Sequence, residues 1–369
     1  MSEQHTIVIQ RPEGPVTLTF GEVTVEQRSQ YHKLCAQAFG WPLSDEDYAE
    51  REEFLDPLPL TRDGRWRFWC VACADDPSQV VAACKTIHRD LLIRDARGVR
   101  LAKGYGIASV VTHPDYRRCG LAAFLMREVA EWLDGPGNAA ASILYSNVGD
   151  FYVDKGWKML SIYQSKLSAV SASTEWDRSD LPEARILTKE DIGKLCPADI
   201  EYLKEEFATY EPATAHDIRV AVLPTADIVS WLHARSEFTA RKLQDKTPEV
   251  KGAACDELGV WMYWYHDLRK QALVVQRIHT GVNESEAAIR ALARLLTDAL
   301  LEAKAWDMAT VVIWDPCPKT QRAIKFLTEE LGVSAVNEER KDAELPSIRW
   351  RSAEDRNTIM SPNEFYAWH

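Results

Sequence analysis

Residues 105–133 read YGIASVVTHPDYRRCGLAAFLMREVAEWL: a strand-like segment, a short basic turn and an amphipathic helix. A helix leaves its first four backbone N–H groups unpaired and carries partial positive charge at that end. A strand that enters a helix through a tight basic turn therefore forms an anion site, here shaped for a pyrophosphate. Gly120 and Ala122 are small, which lets a phosphate reach the amides around Cys119 and Leu121, and Arg117 and Arg118 add positive charge. After the turn, Leu121, Leu125, Val129 and Trp132 recur at helical spacing and define one apolar face, with Arg127, Glu128 and Glu131 pointing outward. The strand over 107–112 is rich in β-branched residues and ends at His113-Pro114, where proline blocks pairing. An ordinary strand–turn–helix connection with two arginines reads the same way locally, and the turn has neither GxxxxGK[ST] nor GxGxxG spacing.

A second segment narrows the choice. Residues 143–157, ILYSNVGDFYVDKGW, read as a strand, a short helix opening near Gly149 and a new strand from Trp157, with Gly156 ending the short helix in the left-handed conformation. The Arg-x-x-Gly-x-Ala turn from Arg117 and the Phe-Tyr-x-x-x-Gly-aromatic run from Phe151 together resemble the two signatures of the GCN5-related N-acetyltransferases. The resemblance implies an α/β fold: a mixed sheet with helices on both faces, in which the turn cradles the pyrophosphate of acetyl-CoA.

Composition sets outer limits. A chain of 369 residues suits two domains, and 46% hydrophobic with 27% charged residues is ordinary for a globular protein. No secretory leader or membrane-spanning run is evident, so a cytoplasmic protein without a membrane partner is expected. A net charge of −12 argues against nucleic acid and is agreeable to a cationic small substrate, although acidic surfaces also serve solubility alone. Of the eight cysteines only Cys70 and Cys73 form a CxxC; a strand places them on opposite faces, and no metal is expected.

Element signals run along the first half: a strand at 16–20, a helix over 26–39 capped by Thr24, a helix from Ser44, and strands at 66–74 and 80–93. The small, polar run 168–174, continuing to Pro182, reads as a linker. This divides the chain into a catalytic domain (1–168), a linker (169–182) and a second α/β domain (183–369). In the second domain, strands at 259–265 and 271–280, helix 286–304, strand 309–314, helix 320–331 and strand 347–351 echo part of the first. An acidic turn at 281–286 stands where the basic one would be, so this half reads as a degenerate copy that no longer binds the cofactor and contributes to the substrate pocket. The aromatic runs 261–265 and 365–369 read either as core or as substrate lining.

Site roles follow from the resemblance. It implies that the backbone of Val110, Val111 and Thr112 pairs with the pantetheine arm, that Arg117, Arg118, Cys119, Gly120, Leu121 and Ala122 hold the pyrophosphate, that Asn147 contacts a cofactor amide, and that Tyr152 protonates the leaving thiolate. Histone-acetylating relatives carry a glutamate eleven residues before the loop arginine; here that position is Gly106. The base is then water, a residue off the strand, or His113. The runs 107–110, 146–152 and 345–350 also resemble fungal lysine N6-acetyltransferases, which implies lysine or a lysine-like small amine as acceptor. Another amine, such as a secondary metabolite or a protein lysine, and a non-catalytic acyl-CoA-binding protein remain alternatives.

Overall fold

The computed structural model describes residues 5–368 apart from 171, 174–175, 177–178 and 283. The first half runs β1 (Thr6–Arg11), β2 (Gly14–Glu22), α1 (Arg28–Phe39), α2 (Asp45–Leu55), β3 (Trp66–Cys73), β4 (Val80–Asp95), β5 (Gly98–Thr112), α3 (Leu121–Asp134), β6 (Ala141–Ser146), β7 (Lys158–Met159) and β8 (Tyr163–Ser168). There follow β9 (Arg185–Leu187), α4 (Lys189–Thr209), β10 (Asp217–Val222), α5 (Ala226–Gln244), β11 (Gly252–Cys255), β12 (Val260–Asp267), β13 (Ala272–His279) and α6 (Glu286–Ala305). The chain ends with β14 (Thr310–Trp314), α7 (Pro318–Glu330), β15 (Ala335–Glu339), β16 (Leu345–Trp350) and β17 (Asn357–Met360). Among the described residues, no helix is long and apolar enough to cross a membrane.

Local rules account for most of these elements. Ser44 caps α2 by accepting from the Asp47 amide, and Asp45, Glu46 and Asp47 complement its N-terminal charge. Thr24 accepts from the Gln27 amide, but it does so one turn ahead of α1, whose cap is Gln27. In α3, Leu121, Leu125 and Val129 are buried as their spacing requires, and Trp132 packs between the rings of Trp69 and Tyr105. Glu128 departs from the expectation: it is buried, held by Arg127 and His5. The short helix expected near Gly149 is instead a 3₁₀ turn, Val153–Lys155, ended by Gly156 at φ 92°. A side chain at Gly156 would press on Ala353 and Arg349.

The sheets position the site. The first runs β1-β2-β3-β4-β5-β6-β16-β7, with β10 attached to the far half of β4 and β17 to β10; the second runs β15-β8-β14-β13-β12-β11-β9. Alternation along β3 sends Phe68 and Cys70 under α1 and α2, and Trp69 and Cys73 under α3, so the two CxxC thiols do lie on opposite faces. Helices α6 and α7 cover one face of the second sheet. Its other face, through Tyr265, Val274 and Trp314, joins the core that holds Ile143 and Trp231.

Sheet membership does not follow the division expected at 169–182. Strand β8 lies between β14 and β15 in the second sheet, and β16 lies between β6 and β7 in the first. Ala169 and Ala172, in the segment read as a linker, are buried in the second core; Ser171 and Thr174 of that segment lie outside the described residues. The physical reason is burial: small apolar side chains fill a core as readily as they populate a linker.

Candidate active site

The basic turn is built as an open anion site. Arg118 (φ 63°) and Gly120 (φ 78°) are both left-handed, and Gly120 stands at the N-cap of α3 with no side chain bonded to the first amides of the helix. A Cβ added at Gly120 would meet nothing within 4 Å, so Gly120 itself faces open space. Arg117 and Arg118 are exposed beside it, Nε of Arg117 reaching the Thr112 carbonyl at 3.4 Å. Leu121 is buried and anchors the helix, while Cys119 and Ala122 are half-buried at the turn. Unpaired donors, an uncompensated helix dipole and two cations fit a pyrophosphate.

The strand ahead of the turn opens a groove toward it. Between the pairs Ala83↔Val111 and Lys85↔Ala108, β5 carries one residue more than β4, a bulge with Ser109 at φ 55°. The parallel pairing of β5 with β6 ends at Ile107↔Leu144, and among the described residues no strand covers that edge of β5 beyond it. A bulge bends and twists its strand, and here it splays β5 from β6. The backbone of Val110, Val111 and Thr112 lies on the open stretch.

Tyr152 and the open strand meet at one cavity. A space of about 200 Å³ is lined by Ser109 and Val110 of β5, by Tyr152, and by Trp231, Arg235 and Trp368 from the distant part of the chain. Tyr152 is 8% exposed, and burial, with Cys84 nearby, pushes its phenol above the ordinary value of 10. Asn147 also lines the cavity, but its Oδ1 accepts the Glu344 amide at 2.8 Å and so ties the approach to β16 against β6. His113 is elsewhere. Its Nδ1 accepts the Asp115 amide at 3.3 Å and its ring lies edge-on to Tyr116, capping its own turn rather than lining the cavity.

The cavity is cationic. Lys85 and Arg51 line it and share Glu52, at 2.7 and 2.9 Å. Burial alone would raise Glu52, yet the charges of Lys85 and then Arg51 bring it down to about 2. Glu344 also lines the space, ion-paired with Lys270 and with Arg340. Arg51, Lys85, Arg235, Arg269 and Glu344 carry no local signal as site residues, because each reaches the cavity through long-range packing. The aromatic tail was the one available signal, and Trp368 does line the cavity; His369 lies outside the described residues.

The second unit repeats the construction and fills it. Its β12 and β13 shift register between Tyr263↔Arg277 and Trp264↔Val275, leaving Gln276 as the extra residue, and β13 pairs in parallel with β14 only as far as Val275↔Ile313. Where the edge would open, the Ile278 amide donates to Glu364 at 3.2 Å, and Arg277 is clamped between Asp199 and Glu364. Ser285 caps α6 by accepting the Ala288 amide at 3.3 Å. Of the acidic turn, Asn283 lies outside the described residues. The aromatic run on β12 is buried along its whole length.

Two sheets, each with a bulged strand splayed from a parallel neighbour and followed by a helix, define a doubled acetyltransferase fold. Residues 20–160 match the acetyltransferase (GNAT) domain, and residues 166–369 match the LYC1 GNAT-like C-terminal domain. The chain belongs to the GCN5-related N-acetyltransferases, in the group that carries the LYC1 GNAT-like C-terminal domain. The uncharacterized protein YGR111W of Saccharomyces cerevisiae (strain ATCC 204508 / S288c) is 23% identical over 338 residues, covering 81% of this chain and 84% of that protein. Among solved structures, a conserved protein of unknown function and probable N-acyltransferase from Enterococcus faecalis V583 superposes with a TM-score of 0.55 at 13% identity, over 92% of this chain and 74% of that one. A GCN5-related N-acetyltransferase from Kribbella flavida gives 0.51 at 18% identity, over 91% and 72%. At these identities the likeness is one of fold.

Proposed function

We propose that the chain is an acetyl-CoA-dependent N-acetyltransferase that transfers acetyl to a primary amine by direct attack in a ternary complex, with lysine or a lysine-like small molecule as acceptor. The observation that carries this reading is the convergence of Tyr152 and the open, bulged edge of β5 on one cavity. Bound acetyl-CoA supplies a thioester carbonyl that an amine can attack. The turn from Arg117 to Ala122 holds its pyrophosphate, and the backbone of Val110, Val111 and Thr112 takes its pantetheine arm.

Tyr152 remains protonated throughout the physiological range, because burial raises its phenol. It donates a hydrogen bond toward the departing sulfur and stabilises charge as it develops there. The acceptor has no carboxylate base at Gly106. Instead, Arg51, Lys85, Arg235 and Arg269 around the cavity disfavour an ammonium ion, so the amine is held neutral and its proton leaves through water.

The test is CoA release across amino acids, polyamines and basic peptides, with Tyr152→Phe as the variant. Loss of the phenolic donor should lower kcat about 100-fold or more while acetyl-CoA affinity stays within about 2-fold. An unchanged kcat removes Tyr152 from the chemistry. Acetyl-CoA binding with no CoA release from any amine makes the protein a non-catalytic acyl-CoA binder.

A further inference from the structure

The buried carboxylate of α3 is only half used. Glu128 is 4% exposed, and its Oε1 is taken by the guanidinium of Arg127, through Nη2 at 2.8 Å and Nε at 3.2 Å. Its Oε2 is shut off from solvent and accepts no hydrogen bond; Nδ1 of His5 lies against it without the alignment that an N–H···O bond needs. A sealed carboxylate oxygen that accepts nothing is costly, and a cation held against it removes the cost.

Three side chains of metal-binding type converge there. One ring nitrogen of His5 and one carboxylate oxygen each from Glu128 and Glu131 all lie within 4.8 Å of one another. Glu128 and Glu131 stand one turn apart on α3, and His5 immediately precedes β1, so no spacing in the sequence marks the group. The Glu131 carboxylate is exposed and, among the described residues, makes no hydrogen bond or ion pair. Ligand atoms about 2.1 Å from a tetrahedral zinc ion stand about 3.4 Å from one another. Rotation of the exposed His5 and Glu131 side chains about a fixed Glu128 brings the three to that spacing. An imidazole nitrogen selects an ion such as Zn²⁺ over Mg²⁺ or Ca²⁺, which take oxygen ligands, and three protein ligands leave the fourth position to water.

We propose that His5, Glu128 and Glu131 bind a divalent transition metal of the zinc class, which fastens the start of β1 to α3. Strand β1 is the edge of its sheet, pairs with β2 alone and buries only Ile9, so few contacts of its own hold it. The ion offsets two carboxylates and joins elements distant in sequence. The unfolded chain has no such site, so binding stabilises the folded one. None of the three residues lines the cavity that holds Tyr152, and the site stands independently of the acetyltransferase reading.

The experiment titrates the full chain, dialysed against a chelator, with Zn²⁺ in a calorimeter, with Mg²⁺ as the comparison ion and His5→Ala and Glu131→Gln as variants at exposed positions. One Zn²⁺ should bind per chain, Mg²⁺ should not displace it, and each variant should weaken it about 10-fold or more. Zinc should raise the melting temperature of the intact chain and leave that of His5→Ala where it was. Cys119 and Cys317 are the thiols that are not buried, so Co²⁺ in place of zinc reads the ligand type: a spectrum without thiolate charge transfer is expected. No bound Zn²⁺, displacement by an equal concentration of Mg²⁺, binding that both variants leave unchanged, or a cobalt spectrum with thiolate bands overturns the site.

Discussion

His233 is fully buried on α5, its ring N–H donating to the Trp264 carbonyl at 3.0 Å, and burial pushes it down from 6.5 to about 3. His32 on α1 is pushed down to about 4 for the same first reason. A group with a depressed folded pKa contributes its full stability above the unfolded value and loses it as pH falls through the folded one. For the two histidines this window runs from about 6.5 to about 4 and 3; for Glu52, at about 2 against an ordinary 4.5, it lies lower still. All three have the same sign. Glu364, raised by burial to about 7, acts the other way between pH 7 and pH 5, but two histidines outweigh one carboxylate, so the melting temperature should fall on acidification from pH 7 to pH 5 and His233→Gln should flatten that fall; calorimetry across pH measures both, and a melting temperature that rises toward pH 5 contradicts the assignment.

At the scale of elements, the turn into α3 is where local sequence speaks most directly. Gly120 needs its left-handed φ of 78° and faces open space. Gly120→Ala should cost about 1 kcal/mol of stability through strain, yet weaken acetyl-CoA about 10-fold or more by disturbing the left-handed turn that presents the helix amides. Calorimetric titration and a thermal melt separate the two effects; unaltered affinity would show that the pyrophosphate sits elsewhere. The turn, the amphipathic face of α3 and the Phe151-Tyr152 run were legible because helix period, glycine conformation and dipole act within a few residues. Helices α4 and α5 and strands β1 and β10 were not read. Pro197 interrupts the pattern inside α4, and β1 alternates too weakly, with only Ile9 buried. Of the cavity, the sequence showed the wall made by β5 and Tyr152. The wall bearing Arg235, Arg269 and Glu344 comes from α5, the turn after β12 and the approach to β16, and nothing in their local sequence says that these meet. Likewise the charge of −12 describes the whole surface and is silent about a cationic cavity.

At the scale of the molecule, the exchange of β8 and β16 makes the halves inseparable. A fragment ending within 169–182 loses β16, leaving β6 and β7 without the strand that joins them, and it exposes β8 with no sheet to enter. Such a fragment should aggregate or melt without a cooperative transition. Circular dichroism checks this, and a soluble 1–182 fragment that unfolds cooperatively and binds acetyl-CoA would refute it. The same exchange bears on synthesis. Because the ribosome delivers residues in order, the unit with the open anion site emerges first but waits for residues 345–350 before its sheet can close. Until then its edges are open and its pocket lacks Arg235, Arg269 and Trp368, so a stalled or prematurely terminated chain carries the donor signatures without a competent site. Both walls of the cavity are complete only once the residues through Trp368 have been added.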